Sequence, residues 1–336
     1  MNRLPEWYRS GAPPASDLRV RPSVSRAVRN WLRARLPDPD VRDQTMVLYA
    51  RQGLRKTTAW AGMFSEFHAV LGALAYAERR GAAGVRVDFR SALYVDPAHG
   101  RNWWTYFFSR AEMPLRREPP AGEVHLTNPL SKYGKYGGFC DVVNGPTPYL
   151  YPMTYGVSRS DLHRLIRAHV EVRREILDEV DRIACRAFTP GAYVVGVHYR
   201  GTDSAHSALG LLNDAHVGRV PYRMYADEVR RAVAAAAPAR CQVIVATDER
   251  DFLDFMRREF GDEHVLYLED APRARTGGPP VHFDAAPGVS NYQKGKAGLI
   301  DCLLLARSHY LVKGRSNLSD ASLAFNVELP YSLCLR

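Results

Sequence analysis

The chain has 336 residues, 46% of them apolar, enough to fill the cores of two ordinary domains and too many for a disordered state. No stretch approaches the roughly 18 uninterrupted apolar residues of a membrane helix, and Met1 to Asp17 carries no apolar run with a small-residue cleavage site, so a soluble, cytoplasmic protein is expected. The formal charge of +10 comes almost wholly from dispersed arginines that form no stripe, which argues against a nucleic-acid surface and suits an anionic small molecule. The five cysteines are far apart and contain no C-x-x-C pair, so neither a disulfide scaffold nor a zinc site is expected.

In chain order, the spacing of Phe64, Phe67, Val70, Leu71 and Leu74 predicts an amphipathic helix over Gly62 to Arg80, ended by Gly81 and Gly84. Val85, Val87 and Phe89 alternate with Arg86 and Asp88 as a strand. Tyr94 to Tyr155 is less regular and holds the aromatic cluster Trp103, Trp104, Tyr106, Phe107 and Phe108, which reads as core or as a platform for a flat ligand. One long helix is expected from Ser160 to Phe188, stopped by Pro190 and Gly191. A domain boundary there divides the chain into residues 1–188 and 189–336.

The second part reads as strands Tyr193 to Val197, Gln242 to Ala246, His264 to Leu268 and Tyr310 to Val312. Between and after them come helices from Pro221, over Glu249 to Phe260, Lys294 to Arg307 and Leu318 to Asn326. That alternation implies a parallel sheet with helices on its faces, where ligands sit at the carboxyl ends of the strands. The Pro- and Gly-rich loop Glu269 to Asn291 is long enough for a lid, or is merely mobile.

Three strand ends carry polar side chains. After Val197 comes His198-Tyr199-Arg200-Gly201-Thr202-Asp203, where the arginine fork matches phosphate oxygens, or Arg200 pairs with Asp203. Thr247-Asp248 delivers a hydroxyl and a carboxylate to the same edge, although Asp248-Glu249 reads equally as an acidic first helical turn. Ser316 and Asn317 open the last helix, a natural phosphate cradle or an ordinary N-cap. Asp301 stands in an apolar helix and must find either the paired N–H groups of a guanine or an arginine.

Together these describe a pocket for a diphosphate nucleotide, and Val194 to Asp203 resembles the H-x-R-x-x-D motif of the alpha-1,6-fucosyltransferase and protein O-fucosyltransferase superfamily. Val243 to Asp248 and Leu299 to Ser319 are similar to its second and third motifs, and Gly62 to Phe67 to its first glycine loop and helix. The resemblance implies an α/β fold of GT-B type: two Rossmann-like domains facing a cleft, the N-terminal one on the acceptor side and the C-terminal one holding the nucleotide sugar. It also implies metal-independent, inverting transfer of L-fucose from GDP-fucose to a hydroxyl, with no cofactor. By position, Arg200 would grip the β-phosphate, His198 and Asp301 the guanine, and Ser316 and Asn317 the diphosphate, with Asp248 beside them. Gly62 and Met63 would line the other side by their backbone.

The alpha-1,6 enzymes follow the motif arginine with a second arginine, a lysine and a glutamate, where this chain has Gly201, Ser204 and Ala208. The base is therefore sought among Asp203, Glu66 and His206, in that order. Alternatives are another nucleotide sugar on the same fold, an idle nucleotide-binding protein, or a phosphatase using His198. The D-x-D match Asp38-Pro39-Asp40 precedes any strand, and Asp178 and Asp181 lie on a helix face, so no metal site is expected. Acceptor and oligomeric state have no sequence signature.

Overall fold

A computed structural model describes residues 40–48, 62–90, 93–126, 157–201, 220–276, 281, 288–314 and 316–334. The chain separates into two units, one within Met1–Ala92 and Arg101–Glu171, the other within Leu93–Gly100 and Val172–Arg336.

The first unit is built on strands β1 (Gln44–Leu48), β2 (Gly84–Val87), β3 (Glu112–Pro114) and β4 (Gly122–Leu126). They lie in the order β3-β2-β1-β4, with β1 parallel to β2 and β4 and β3 antiparallel. Helix α1 (Met63–Arg80) joins β1 to β2 and is buried from Met63 to Ala77, so its sequence is apolar nearly all round. Gly81 ends it at φ 70°, the left-handed conformation that suits glycine, and Ala82 N–H closes on Ala77 O at 2.9 Å. Against α1 packs the short helix α2 (Trp104–Phe107), and the aromatic cluster is core: Trp104 stacks on Phe108 at 4.1 Å between ring centres, and Trp103 on Phe89 at 5.6 Å.

The single helix expected over Ser160 to Phe188 is two, α3 (Arg159–His169) and α4 (Arg174–Ala187), the first in the first unit and the second in the second. β-branched Val170 leaves the helix with φ −102° and ψ 109°, an extended conformation such residues favour. Leu162, Leu165 and Ile166 bury one face of α3, and Ile176 and Val180 one face of α4.

The second unit is a five-stranded parallel sheet in the order β7-β6-β5-β8-β9. Its elements in chain order are α4, β5 (Tyr193–Tyr199), α5 (Tyr222–Ala236), β6 (Cys241–Thr247), α6 (Arg250–Phe260), β7 (Val265–Leu266), α7 (Asn291–Ala306), β8 (Tyr310–Lys313), α8 (Asn317–Phe325) and β9 (Tyr331–Leu333). From β5 the chain builds outward to β6 and β7, then returns to place β8 and β9 on the other side. The order therefore reverses between β5 and β8, the switch point where such sheets open a crevice. Lys296 with Glu179 at 2.5 Å and Arg307 with Asp181 at 2.5 Å join α7 to α4.

Of the expected 269–291 loop, residues 269–276, 281 and 288–291 are described. Ala274 N–H bonds Asp248 O at 2.9 Å and Arg250 N–H bonds Ala274 O at 2.8 Å, adding a parallel bridge beyond the end of β6. Residues 277–280 and 282–287, and with them any lid, lie outside the described residues. Among the described residues no helix is long and apolar enough to cross a membrane.

Candidate functional site

The carboxyl edge of the second sheet collects most of the residues expected there. His198 is the penultimate residue of β5 and stands in register between Ala246 of β6 and Lys313 of β8. Its imidazole is buried, its carbonyl accepts the Gly314 N–H at 3.3 Å, and half-buried Arg200 follows directly after the strand. Asp203 and His206 lie outside the described residues.

Asp248 directs its carboxylate back at the chain: Oδ1 accepts the Gly201 N–H at 2.9 Å. It holds the turn that carries Arg200. Glu249, read from sequence as a candidate for an exposed acidic first turn, points inward and is 0% exposed. Its Oε1 accepts the hydroxyls of Tyr222 and Thr276, and its backbone begins α6. Val220, Pro221, Tyr222, Asp251 and Thr276 line an open cavity of about 450 Å³ at the entrance to α5 and α6.

At the N-terminus of α8, Ser316 is in the N-cap position but does not cap its helix. The side chain is 2% exposed, and its Oγ has no hydrogen-bond partner among the described residues. Asn317 beside it is buried as the first helical residue. A buried hydroxyl and the uncovered N–H groups of a helix end together favour an anion.

Asp301 on α7 is buried, with 8% of its surface exposed. Burial pushes its carboxyl up to about 7, with the Arg273 guanidinium pulling the other way. Arg273, which the sequence reading did not single out, donates to Leu268 O at 2.7 Å and Ala271 O at 3.1 Å and lies over the Tyr267 ring at 5.3 Å. Its loop has no periodicity to betray it; the only signal was the excess of arginine. In its ionised form a carboxylate at this depth accepts only, and matches a planar group offering paired N–H donors.

In the first unit, Gly62 is the N-cap of α1 with extended backbone, and the Met63 side chain is buried, so any ligand contact there is left to the main chain. Glu66 is 4% exposed, and its Oε2 accepts the Trp103 indole N–H at 2.7 Å. Burial pushes its carboxyl up to about 8 against the lowering effect of that hydrogen bond. That burial favours the protonated form of Glu66 near neutral pH. Of the D-x-D match, Asp40 is exposed and its Oδ1 accepts the Arg42 N–H at 3.0 Å, while Asp38 lies outside the described residues.

No family model matches the sequence, and no curated protein matches it either. Among solved structures, the chain is similar to NodZ alpha-1,6-fucosyltransferase soaked with GDP-fucose, at TM-score 0.52 and 17% identity over 84% of this chain and 92% of that one. It is likewise similar to fucosyltransferase NodZ from Bradyrhizobium, at TM-score 0.50 and 17% identity over 85% and 94%. POFUT1 in complex with GDP-fucose matches at TM-score 0.47 and 9% identity over 87% and 98%. The likeness to NodZ establishes the fold, two Rossmann-like units of the GT-B class.

Proposed function

We propose that this chain, which has the fold of an alpha-1,6-fucosyltransferase, is an inverting, metal-independent glycosyltransferase that moves L-fucose from GDP-fucose to an acceptor hydroxyl. One observation carries the reading: the buried hydroxyl of Ser316, which has no hydrogen-bond partner among the described residues, at a helix N-terminus beside the β5–β8 switch point that Arg200 follows. A diphosphate supplies what that hydroxyl and helix end lack. The second unit is then the donor side and the first the acceptor side.

Asp301 accepts the N–H groups of the guanine, and His198, at the end of β5, is assigned to the same base. Arg200, Ser316, Asn317 and the N–H groups of α8 hold the diphosphate. The acceptor oxygen attacks the anomeric carbon opposite the diphosphate. The C–O bond to the β-phosphate breaks, its electron pair leaves with GDP, and the acceptor proton passes to Asp203, the base we assign by motif position. Arg200 and the helix end meet the charge that grows on the leaving oxygen, the term that positioned electrostatics lowers most. Glu66, which accepts the Trp103 indole N–H, is assigned the placement of that ring.

Titration with GDP, UDP and dTDP by calorimetry tests the donor assignment. GDP is expected to bind at least about tenfold more tightly than the pyrimidine nucleotides, the value of one lost pair of hydrogen bonds to a charged group. Equal binding of all three assigns the fold to another nucleotide sugar, and binding of none removes the reading.

A further inference from the structure

We infer that Glu249 is a positioning residue for Arg200, an inference that rests on the donor-binding reading above. Gly201, the residue after Arg200, leaves no room for a side chain. A Cβ placed on it would stand 1.6 Å from Glu249 Oε2 and 2.7 Å from Tyr199 Cε1. The carboxylate thus occupies the space that any side chain at position 201 would need, next to Arg200.

That carboxylate has no freedom to move away. It is 0% exposed, and its other oxygen holds two hydroxyls from separate elements, Tyr222 on α5 and Thr276 after the 274 bridge. Tyr222 is further fixed edge-on to Tyr199 and Phe252, each at 5.2 Å between ring centres. Neighbouring Asp248 completes the clamp by accepting the Gly201 N–H. Three segments of chain, the β5 exit, the start of α5 and residues 274–276, therefore converge on one acidic dipeptide. Arg200 emerges from the clamped peptide, and its direction follows from it. The same packing explains why glycine stands where the alpha-1,6 motif has a second arginine: Glu249 fills that space.

The test uses the whole protein and reads two quantities. In Glu249→Ala, hydrogen exchange of the Gly201 amide is expected to accelerate, and GDP affinity to fall by about tenfold, because a misplaced arginine loses its aim at the phosphate. In an Arg200→Ala background the same substitution should cost no further affinity, since two residues acting as one unit are not additive. Glu249→Gln, which keeps the acceptor oxygen, should restore both readouts. If Glu249→Ala does not fold, Gly201→Ala reports instead, with the same loss expected from a methyl group driven into the carboxylate. Unchanged exchange at Gly201, losses that multiply in the double variant, or full GDP affinity in Gly201→Ala would each overturn the inference. A wild-type protein that binds no GDP retires the donor reading, and exchange at Gly201 alone then decides whether Glu249 holds the turn.

Discussion

Lys313, the last residue of β8 and fully excluded from solvent, is ion-paired with Asp320 on the first turn of α8. The pair joins the strand to the helix whose N-terminus is assigned to the diphosphate. The second oxygen of Asp320 has no partner among the described residues, so the lysine is its main compensation. Replacing Lys313 by methionine strands a buried carboxylate and is expected to cost about 3–5 kcal/mol of stability. Denaturant unfolding measures it. The double variant Lys313→Met, Asp320→Leu should recover most of the loss, because removing both partners leaves no buried charge. Recovery absent in the double variant would mean that the lysine matters for something other than this pair.

Ser316→Ala should separate binding from stability. Its Oγ has no protein partner among the described residues, so removing it is expected to change stability by less than about 0.5 kcal/mol. If the hydroxyl meets phosphate, GDP affinity falls by about tenfold or more, the range for a hydrogen bond to a charged group. Calorimetry and thermal unfolding of the same preparation read the two effects. A large stability loss with unchanged GDP binding would make the residue structural.

Two buried carboxyls set a pH dependence. Asp301 is raised to about 7 and Glu66 to about 8, both above the ordinary range near 4 of an unfolded chain. Between pH ~4 and ~8 these two groups keep protons in the folded protein that the unfolded chain releases, so their contribution to stability falls as pH rises through that window and levels off above it. Asp301→Asn and Glu66→Gln should each flatten the fall. Binding runs the other way. Asp301 must be ionised to accept guanine N–H groups, so GDP affinity should rise with pH up to about 7 and then level off. Affinity that is flat from pH 6 to pH 8 would separate Asp301 from the base.

Chelation offers a simple check on the metal-independent reading. With Arg200 and the α8 terminus supplying the positive potential, turnover in EDTA should match turnover in added Mg²⁺ or Mn²⁺. Loss of activity in EDTA, restored by a divalent ion, would contradict it.

The second sheet was largely legible because its buried strands read as short β-branched runs and its site residues stand one or two positions past them. His198, Arg200, Asp248 and Ser316 all fall at the expected edge for that reason. Three features were not legible. Residues 170–173 continue the apolar spacing of the helices on either side, so the break into α3 and α4 is set by tertiary packing and not by a glycine or proline. Strand β9 is three residues long, follows Pro330 and takes its register from β8 alone. Glu249 and Arg273 carry no periodic signal, since a helix N-cap acid and a loop arginine look the same in sequence whether they face water or the core. Trp103 resolves the other way, with its ring in the core and its indole N–H turned to Glu66.

The most direct measurement follows GDP-fucose by proton NMR in the presence of wild-type protein and of Arg200→Ala. With water as the only hydroxyl acceptor, the wild type is expected to release GDP and to pass the sugar to water, forming free fucose of inverted anomeric configuration. It predicts a rate about 100-fold or more lower in the variant, the usual cost of removing one preorganised donor to developing charge. Intact GDP-fucose beside folded wild-type protein, or equal rates in the two proteins, would contradict it.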